Sequence, residues 1–115
     1  QPNAMAFNGV PFQYKAHPIQ IKTNERVRVW VMDAGPNLAT TFHVVGTQFD
    51  TVWREGAYII RGGGSGGGWG QVLNLGAAEG GFVEFTPLEA GHYSFVNHAL
   101  SLAEKGQLGI FEVTD

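Results

Sequence analysis

Apolar and polar residues alternate along most of the chain, and helical periodicity is almost absent. Between Arg26 and Val31, for example, a valine occupies every second position. Because successive side chains of a strand point to opposite faces, this pattern predicts strands with one buried face. The predicted strands cover residues 6–8, 19–22, 27–33, 41–45, 50–53, 71–75, 81–86, 91–97 and 108–113.

Turn signals separate these strands. Residues 33–37 combine Gly and Pro, which favour tight turns. Residues 88–93 resemble a tyrosine corner, in which the Tyr93 hydroxyl would bond back to the main chain between two sheets. The interval 99–104 is the one stretch that favours a short helix. About eight short strands with regular turns predict an all-β fold, a Greek-key β-sandwich or a barrel.

Length and charge limit the classes of function. The 115 residues predict a single domain, 1–115, with enough apolar residues (43%) for a core of its own. The net charge of −3 and the scattered basic residues argue against nucleic acid as a partner. No apolar run approaches the ~18–20 residues of a membrane helix, and no signal-like stretch opens the chain. We therefore expect neither a nucleic-acid nor a membrane partner.

The chain contains no cysteine, which excludes disulfides, thiolate nucleophiles and thiolate metal ligands. The serines lack a nucleophile-elbow motif, and the carboxylates show no pairing in sequence. Catalysis without a metal is therefore poorly supported. Cysteine usage leaves the cellular compartment open.

Glycine dominates one segment, residues 62–68. A phosphate-binding loop would need Lys-Ser or Lys-Thr and a following helix, and neither pattern is present in the sequence. This segment is therefore interpreted as a flexible surface loop between strands.

Four histidines are the candidate functional residues. His17 and His92 lie in a polar connection and at a strand start, where exposed side chains are typical. His43 lies within an apolar strand, as a hydrogen-bonded structural residue or as a site residue beside Val45. His98 ends a strand and so suits a ligand role, because the sheet holds its backbone. Neutral imidazole binds copper and zinc, but one or two histidines form an incomplete site.

Several motifs together resemble a known family. They are Ala6-Phe7-Asn8-Gly9, Gly35-Pro36-Asn37, Thr41-Phe42-His43-Val44-Val45-Gly46, Phe49-Asp50, Gly91-His92-Tyr93, Val96-Asn97-His98 and Lys105-Gly106-Gln107-Leu108-Gly109. Over residues 6–113 the chain resembles the second (C-terminal) cupredoxin domain of copper-containing nitrite reductases and multicopper oxidases. The resemblance narrows the fold to the cupredoxin type of β-sandwich.

That resemblance implies a copper oxidoreductase domain, periplasmic or extracellular, in a homotrimer of two-domain subunits. The first domain of the family holds a type 1 copper and supplies two histidines to a type 2 copper at the subunit interface. His98 matches the third histidine ligand of that type 2 copper. His43 matches the active-site histidine that orients or protonates substrate, and Val45 matches the apolar residue above the copper.

This sequence also departs from the family pattern. It lacks the cysteine of a type 1 copper. The carboxylate and hydroxyl that support the active-site histidine are replaced by Trp69 and Gly70, which leaves Gln71 as a substitute hydrogen-bond partner. The resemblance therefore implies copper shared with a copper-bearing first domain or subunit, and a domain that is inactive in isolation.

Two other hypotheses remain open. The domain could be a non-catalytic structural or assembly module, with Trp30, Trp53 or Trp69 as interface anchors. Alternatively, three copies of His98 could build a metal site on the axis of a homotrimer of this chain alone.

Overall fold

A computed structural model describes residues 8, 12–34, 38–62, 68–98 and 106–115. The described part contains one short helix and nine strands. These are α1 Gln13–Ala16, β1 Ile19–Lys22, β2 Val27–Met32, β3 Thr40–Val44, β4 Thr51–Arg54, β5 Ala57–Ile60, β6 Val72–Leu75, β7 Gly80–Phe85, β8 Gly91–Asn97 and β9 Leu108–Thr114.

The strands form two sheets. One has five strands in the order β1-β9-β8-β3-β6, and the other has four in the order β2-β7-β4-β5. All neighbouring strands run antiparallel except β1 and β9, which are parallel. The predicted all-β sandwich is confirmed.

The core lies between the two sheets. It consists of alternate residues from both of them: Phe42, Val44, Phe49, Val52, Leu73, Leu75, Val83, Phe85, Phe95 and Phe111. In β3, the sequence pattern buries Phe42 and Val44 and leaves His43 partly exposed on the outer face. The period-two pattern of the sequence therefore decides which side chains can form a site.

Most predicted strands are found within two residues of their predicted ends, but three features differ. Strand β5 was not predicted, and neither was helix α1. Of the predicted strand 6–8, the structure describes only Asn8, which lies in a turn. The predicted helix 99–104 lies outside the described residues, as does most of the glycine-rich segment 62–68 and of the turn 33–37.

Two close contacts explain why β8 carries a tyrosine and β9 a glycine at particular positions. The Tyr93 hydroxyl donates to the Glu89 carbonyl at 2.8 Å, which confirms the predicted tyrosine corner. Gly109 faces Phe95 across the strand pair, and a Cβ at Gly109 would lie 2.2 Å from the Phe95 ring. Only glycine therefore allows Phe95 its place in the core.

None of the helices in the described ranges is long and apolar enough to cross a membrane.

Candidate functional site

The candidate site lies on the outer face of the five-stranded sheet. Strand β3 occupies an inner position there, between β8 and β6. His43 is paired in register with Val96 of β8 and Val72 of β6. Both neighbours are apolar, so the imidazole is the polar group in a row of aliphatic side chains.

The orientation of His43 is fixed by the main chain. Its Nδ1 lies 2.5 Å from the carbonyl oxygen of Gln71. Because a carbonyl only accepts, Nδ1 carries the proton and Nε2 is the nitrogen left for a ligand or a substrate. The predicted role of Gln71 as hydrogen-bond partner is therefore met by its backbone, where side-chain identity matters little.

His98 follows directly after β8 and lies beside His43. Its backbone N–H donates to the Thr41 carbonyl at 2.7 Å, which extends the pairing of β8 with β3 by one residue. The two imidazole rings have their centroids 5.4 Å apart at an interplanar angle of 70°. Two histidines that are 55 residues apart in sequence are thus adjacent in space because β3 and β8 are neighbours.

A buried pair of side-chain amides fixes the backbone next to His98. Asn97 is 1% exposed, and its Nδ2 donates to Oε1 of Gln107 at 2.8 Å. The backbone N–H of Thr41 donates to Oδ1 of Asn97 at 3.2 Å. Asn97 therefore joins β3, the end of β8 and the segment before β9. In the sequence, Asn97 and Gln107 stand out only as members of two motifs, although the alternation in β8 already places Asn97 on the inward face.

The two histidines open onto a shallow surface depression of about 490 Å³. Its described lining consists of Thr41, His43, Gln71, Val72 and His98. Thr41 and Val72 were not predicted as site residues, and Gln71 was predicted only as a hydrogen-bond partner of His43. The predicted residue Val45 is 49% exposed immediately after β3 and is not among those lining residues.

The chemistry of the donors suits a borderline transition metal. Imidazole nitrogen binds copper well, and a ligating histidine usually donates its other N–H to a carbonyl or carboxylate, as His43 does. Among the described residues, however, no group of three metal-binding side chains is found. A catalytic centre normally has three protein ligands and an open position, so this depression supplies part of a site.

The other two histidines lie apart from the depression. His92 pairs with Glu112 across β8 and β9, with 3.2 Å between Nε2 and the carboxylate oxygen. His17 follows α1 and is exposed. Both are exposed, as predicted.

Comparison with known proteins identifies the family of the chain. The family model described as multicopper oxidase matches residues 1–115. Copper-containing nitrite reductases of Neisseria meningitidis serogroup A and Neisseria gonorrhoeae are each 35% identical over 117 residues, covering 98% of this chain. The chain spans only 28% of the length of these relatives.

Solved structures give the same result at the level of the fold. The copper-containing nitrite reductase from Thermus scotoductus SA-01 superposes with a TM-score of 0.84 at 29% identity. That match covers 95% of this chain and 25% of the other. The chain therefore belongs to the multicopper oxidase family, as a cupredoxin domain of the copper nitrite reductase and multicopper oxidase type.

Proposed function

We propose that this chain is the part of a copper oxidoreductase, of nitrite reductase or multicopper oxidase type, that contributes histidines to a type 2 copper shared with another domain or subunit. One observation carries the proposal. The ring centroids of His43 and His98 lie 5.4 Å apart on one open depression, and no group of three metal-binding side chains is found among the described residues. An incomplete set of ligands on an accessible surface is what a shared interfacial site requires.

His98 is proposed as the copper ligand. It lies at the end of a strand whose backbone is fixed by Thr41 and Asn97, so little conformational freedom is lost when the imidazole binds a metal. The remaining ligands would come from a copper-bearing first cupredoxin domain or subunit, most simply in a homotrimer. Bound copper would act as a Lewis acid and as the electron carrier to the substrate.

His43 is proposed to handle protons and to orient the substrate. Its Nδ1–H is held by the Gln71 carbonyl, which leaves Nε2 directed away from that bond. Nε2 can take up a proton from water and pass it to a substrate oxygen. Val45 is proposed as the apolar wall that a partner surface would press against the site, where it would limit the entry of water.

Under this proposal the isolated chain has no enzymatic activity of its own. A type 1 copper uses a cysteine ligand, and the chain has none, so electrons would have to arrive from another domain. The same family assignment supports a periplasmic or extracellular location for the protein.

Copper stoichiometry and EPR test the proposal. The chain is measured alone and together with a copper-bearing first cupredoxin domain. We expect a type 2 signal in the complex, its loss in His98→Ala, and its retention in the matched control His92→Ala. In His43→Ala the signal should persist while turnover falls by about 10²- to 10⁴-fold.

The outcome that would contradict the proposal is equally specific. Tight binding of copper that His98→Ala leaves unchanged would remove His98 from the site. Absence of copper from both samples would favour a structural or assembly module, in which neither histidine affects partner activity. A trimer of this chain alone with one copper per trimer would instead favour a site on the trimer axis.

A further inference from the structure

The outer face of the four-stranded sheet carries a second feature, on the side of the sandwich opposite the histidines. Here Trp30 of β2, Phe82 of β7, Trp53 of β4 and Tyr58 of β5 lie side by side in register. Together with Met32 they form what we call the aromatic face. Trp30 is 65% exposed and Met32 is 71% exposed, whereas Phe82 is only 4% exposed beneath its neighbours.

The aromatic face is a pre-organised surface. The Phe82 ring lies 4.8 Å from Trp30, 5.5 Å from Trp53 and 6.1 Å from Tyr58, measured between centroids. The Arg28 guanidinium covers Phe82 at 4.2 Å while its Nε bonds to Glu84. Because these side chains already hold one another in place, a partner that binds them would immobilise few further rotamers.

Its composition is typical of a binding surface. Trp, Tyr, Met and Arg are enriched in the centres of protein interfaces. Arg61 adds a charge, because its guanidinium lies 4.5 Å above the Tyr58 ring and none of the described carboxylates pairs with it. The matching surface should therefore be apolar, with a carboxylate opposite Arg61.

The area of the face indicates which kind of partner fits. With ~150–250 Å² for each large side chain, the exposed parts of Trp30, Met32 and Tyr58 amount to roughly 400 Å². A stable complex of separate proteins buries about 800 Å² on each partner. Half of that area suits two domains of one polypeptide, since a tether supplies an effective concentration of about 1 mM.

The lengths of the relatives point the same way. This chain covers 28% of the two Neisseria nitrite reductases, so most of each relative lies outside the matching segment. We propose that the aromatic face docks a folded domain joined to this one in the same polypeptide, through an apolar surface that places a carboxylate against Arg61. This inference rests on the proposed function only in assuming a second domain.

Oxidation of Met32 tests the docking. Peroxide converts an exposed methionine to its sulfoxide, and peptide mapping separates Met32 from Met5, the other methionine of the chain. The rate is measured in the chain alone and in a chimera, in which the chain replaces the matching segment of the Neisseria gonorrhoeae relative. We expect Met32 to be oxidised about fivefold more slowly in the chimera, as for a face that is occupied most of the time.

Variants identify the contact. Trp30→Ser should restore fast oxidation in the chimera, and Arg61→Gln should restore it in part while leaving the aromatic packing intact. Leu88→Ser is the matched control, because Leu88 is an exposed apolar residue outside the aromatic face and should leave the protection unchanged. Circular dichroism of each variant chain verifies that the sandwich is retained.

Two results would overturn the inference. Equal oxidation of Met32 in the chain and the chimera would mean that no tethered domain covers the face. Protection that appears in the chain alone at high concentration would assign the face to a second copy. Protection should also persist in His98→Ala without copper, so failure of the copper proposal and failure of this inference give different results.

Discussion

Asn97 shows how a single buried side chain places the candidate ligand. It is one residue before His98, it points inward, and it bonds both Gln107 and the backbone of Thr41. A buried polar group that loses its partners keeps the full cost of its desolvation. The position of His98 is therefore coupled to the stability of the sheet.

We expect Asn97→Ala to lower the free energy of unfolding by about 1–3 kcal/mol, because the Thr41 N–H and the Gln107 side chain lose a partner in a buried place. Urea denaturation measures the change. Asn74→Ala is the matched control, since Asn74 lies on the exposed face of β6 and should change stability by less than about 0.5 kcal/mol. Equal effects of the two variants would contradict the role given to Asn97.

The sequence predicted some features of the histidines and not others. The sequence predicted exposed positions for His17 and His92, which the structure confirms, and a strand end for His98. Alternation and spacing did not predict the contact between His43 and His98, because their proximity depends on which strands are neighbours. Only the family resemblance implied that both lie at one copper site. The sequence also did not predict that a main-chain carbonyl would orient His43.

Between elements, a charge network joins three strands of the four-stranded sheet. Arg26 bonds both Asp50 oxygens, at 2.7 and 2.5 Å, and also Glu84 at 3.0 Å. Glu84 accepts a second bond from Arg28 at 2.9 Å. The residues before β2 and β4 are thereby fixed to β7. Hydrogen bonds to Asp50 raise the pKa of Arg26, so its charge is constant in the physiological range.

Glu84 makes stability depend on pH. Burial raises the pKa of its carboxyl, but hydrogen bonds from Arg26 and Arg28 outweigh burial and bring the pKa below its ordinary value of 4.5. A carboxyl with a lowered folded-state pKa stabilises the fold above the unfolded-state pKa. That stabilisation is lost as the pH falls through the folded-state value.

We therefore expect Glu84→Gln to cost about 1 kcal/mol at pH 7, a modest figure because both arginines are about half exposed to solvent. The difference from the unmodified chain should shrink as the pH is lowered below 4.5. Thermal unfolding between acid and neutral pH measures it. Glu25→Gln, which alters an exposed carboxylate, is the matched control. A difference for Glu84→Gln that stays constant with pH would refute the linkage.

Strand β5 illustrates why an element can escape sequence analysis. Glu55 and Gly56 both have positive φ, which makes the two-residue turn of a tight hairpin between β4 and β5. Glu-Gly is a weaker turn signal than Asn-Gly or Asp-Gly, and Ala57–Ile60 shows an apolar run without alternation. Helix α1 was not predicted because a helix of one turn is too short to show helical periodicity in the sequence. In the fold its Tyr14 ring packs 5.9 Å from Phe95 of the core.

Across the whole molecule, both sheets share one hydrophobic core. Phe42 and Phe95 come from one sheet and Val52 and Phe85 from the other, so neither sheet can bury its apolar face from solvent without the other. We expect one cooperative unfolding transition, with a urea m-value of about 1–3 kcal/mol/M. Tryptophan fluorescence, which reports largely on the aromatic face, should follow the same curve as far-ultraviolet circular dichroism. Two separated curves would show that the sheets unfold independently.

The two outer faces of the sandwich carry two separate candidate interaction surfaces. The histidine depression lies on one outer face and the aromatic face on the other, with the core between them. A domain placed between two neighbours would cover both faces at once. The shared copper site and the docking of a tethered domain can therefore be tested, and can fail, separately.

The sequence by itself determined the fold class, most of the strands and the tyrosine corner. It could do so because period-two alternation and turn residues act locally. Only the tertiary structure decided how the His43 and His98 rings lie relative to each other and how the hydrogen bonds of Asn97 fix the end of β8. It also decided that four aromatic residues from four strands form one surface. Those contacts depend on strand order and register, and both are set by long-range packing of the two sheets.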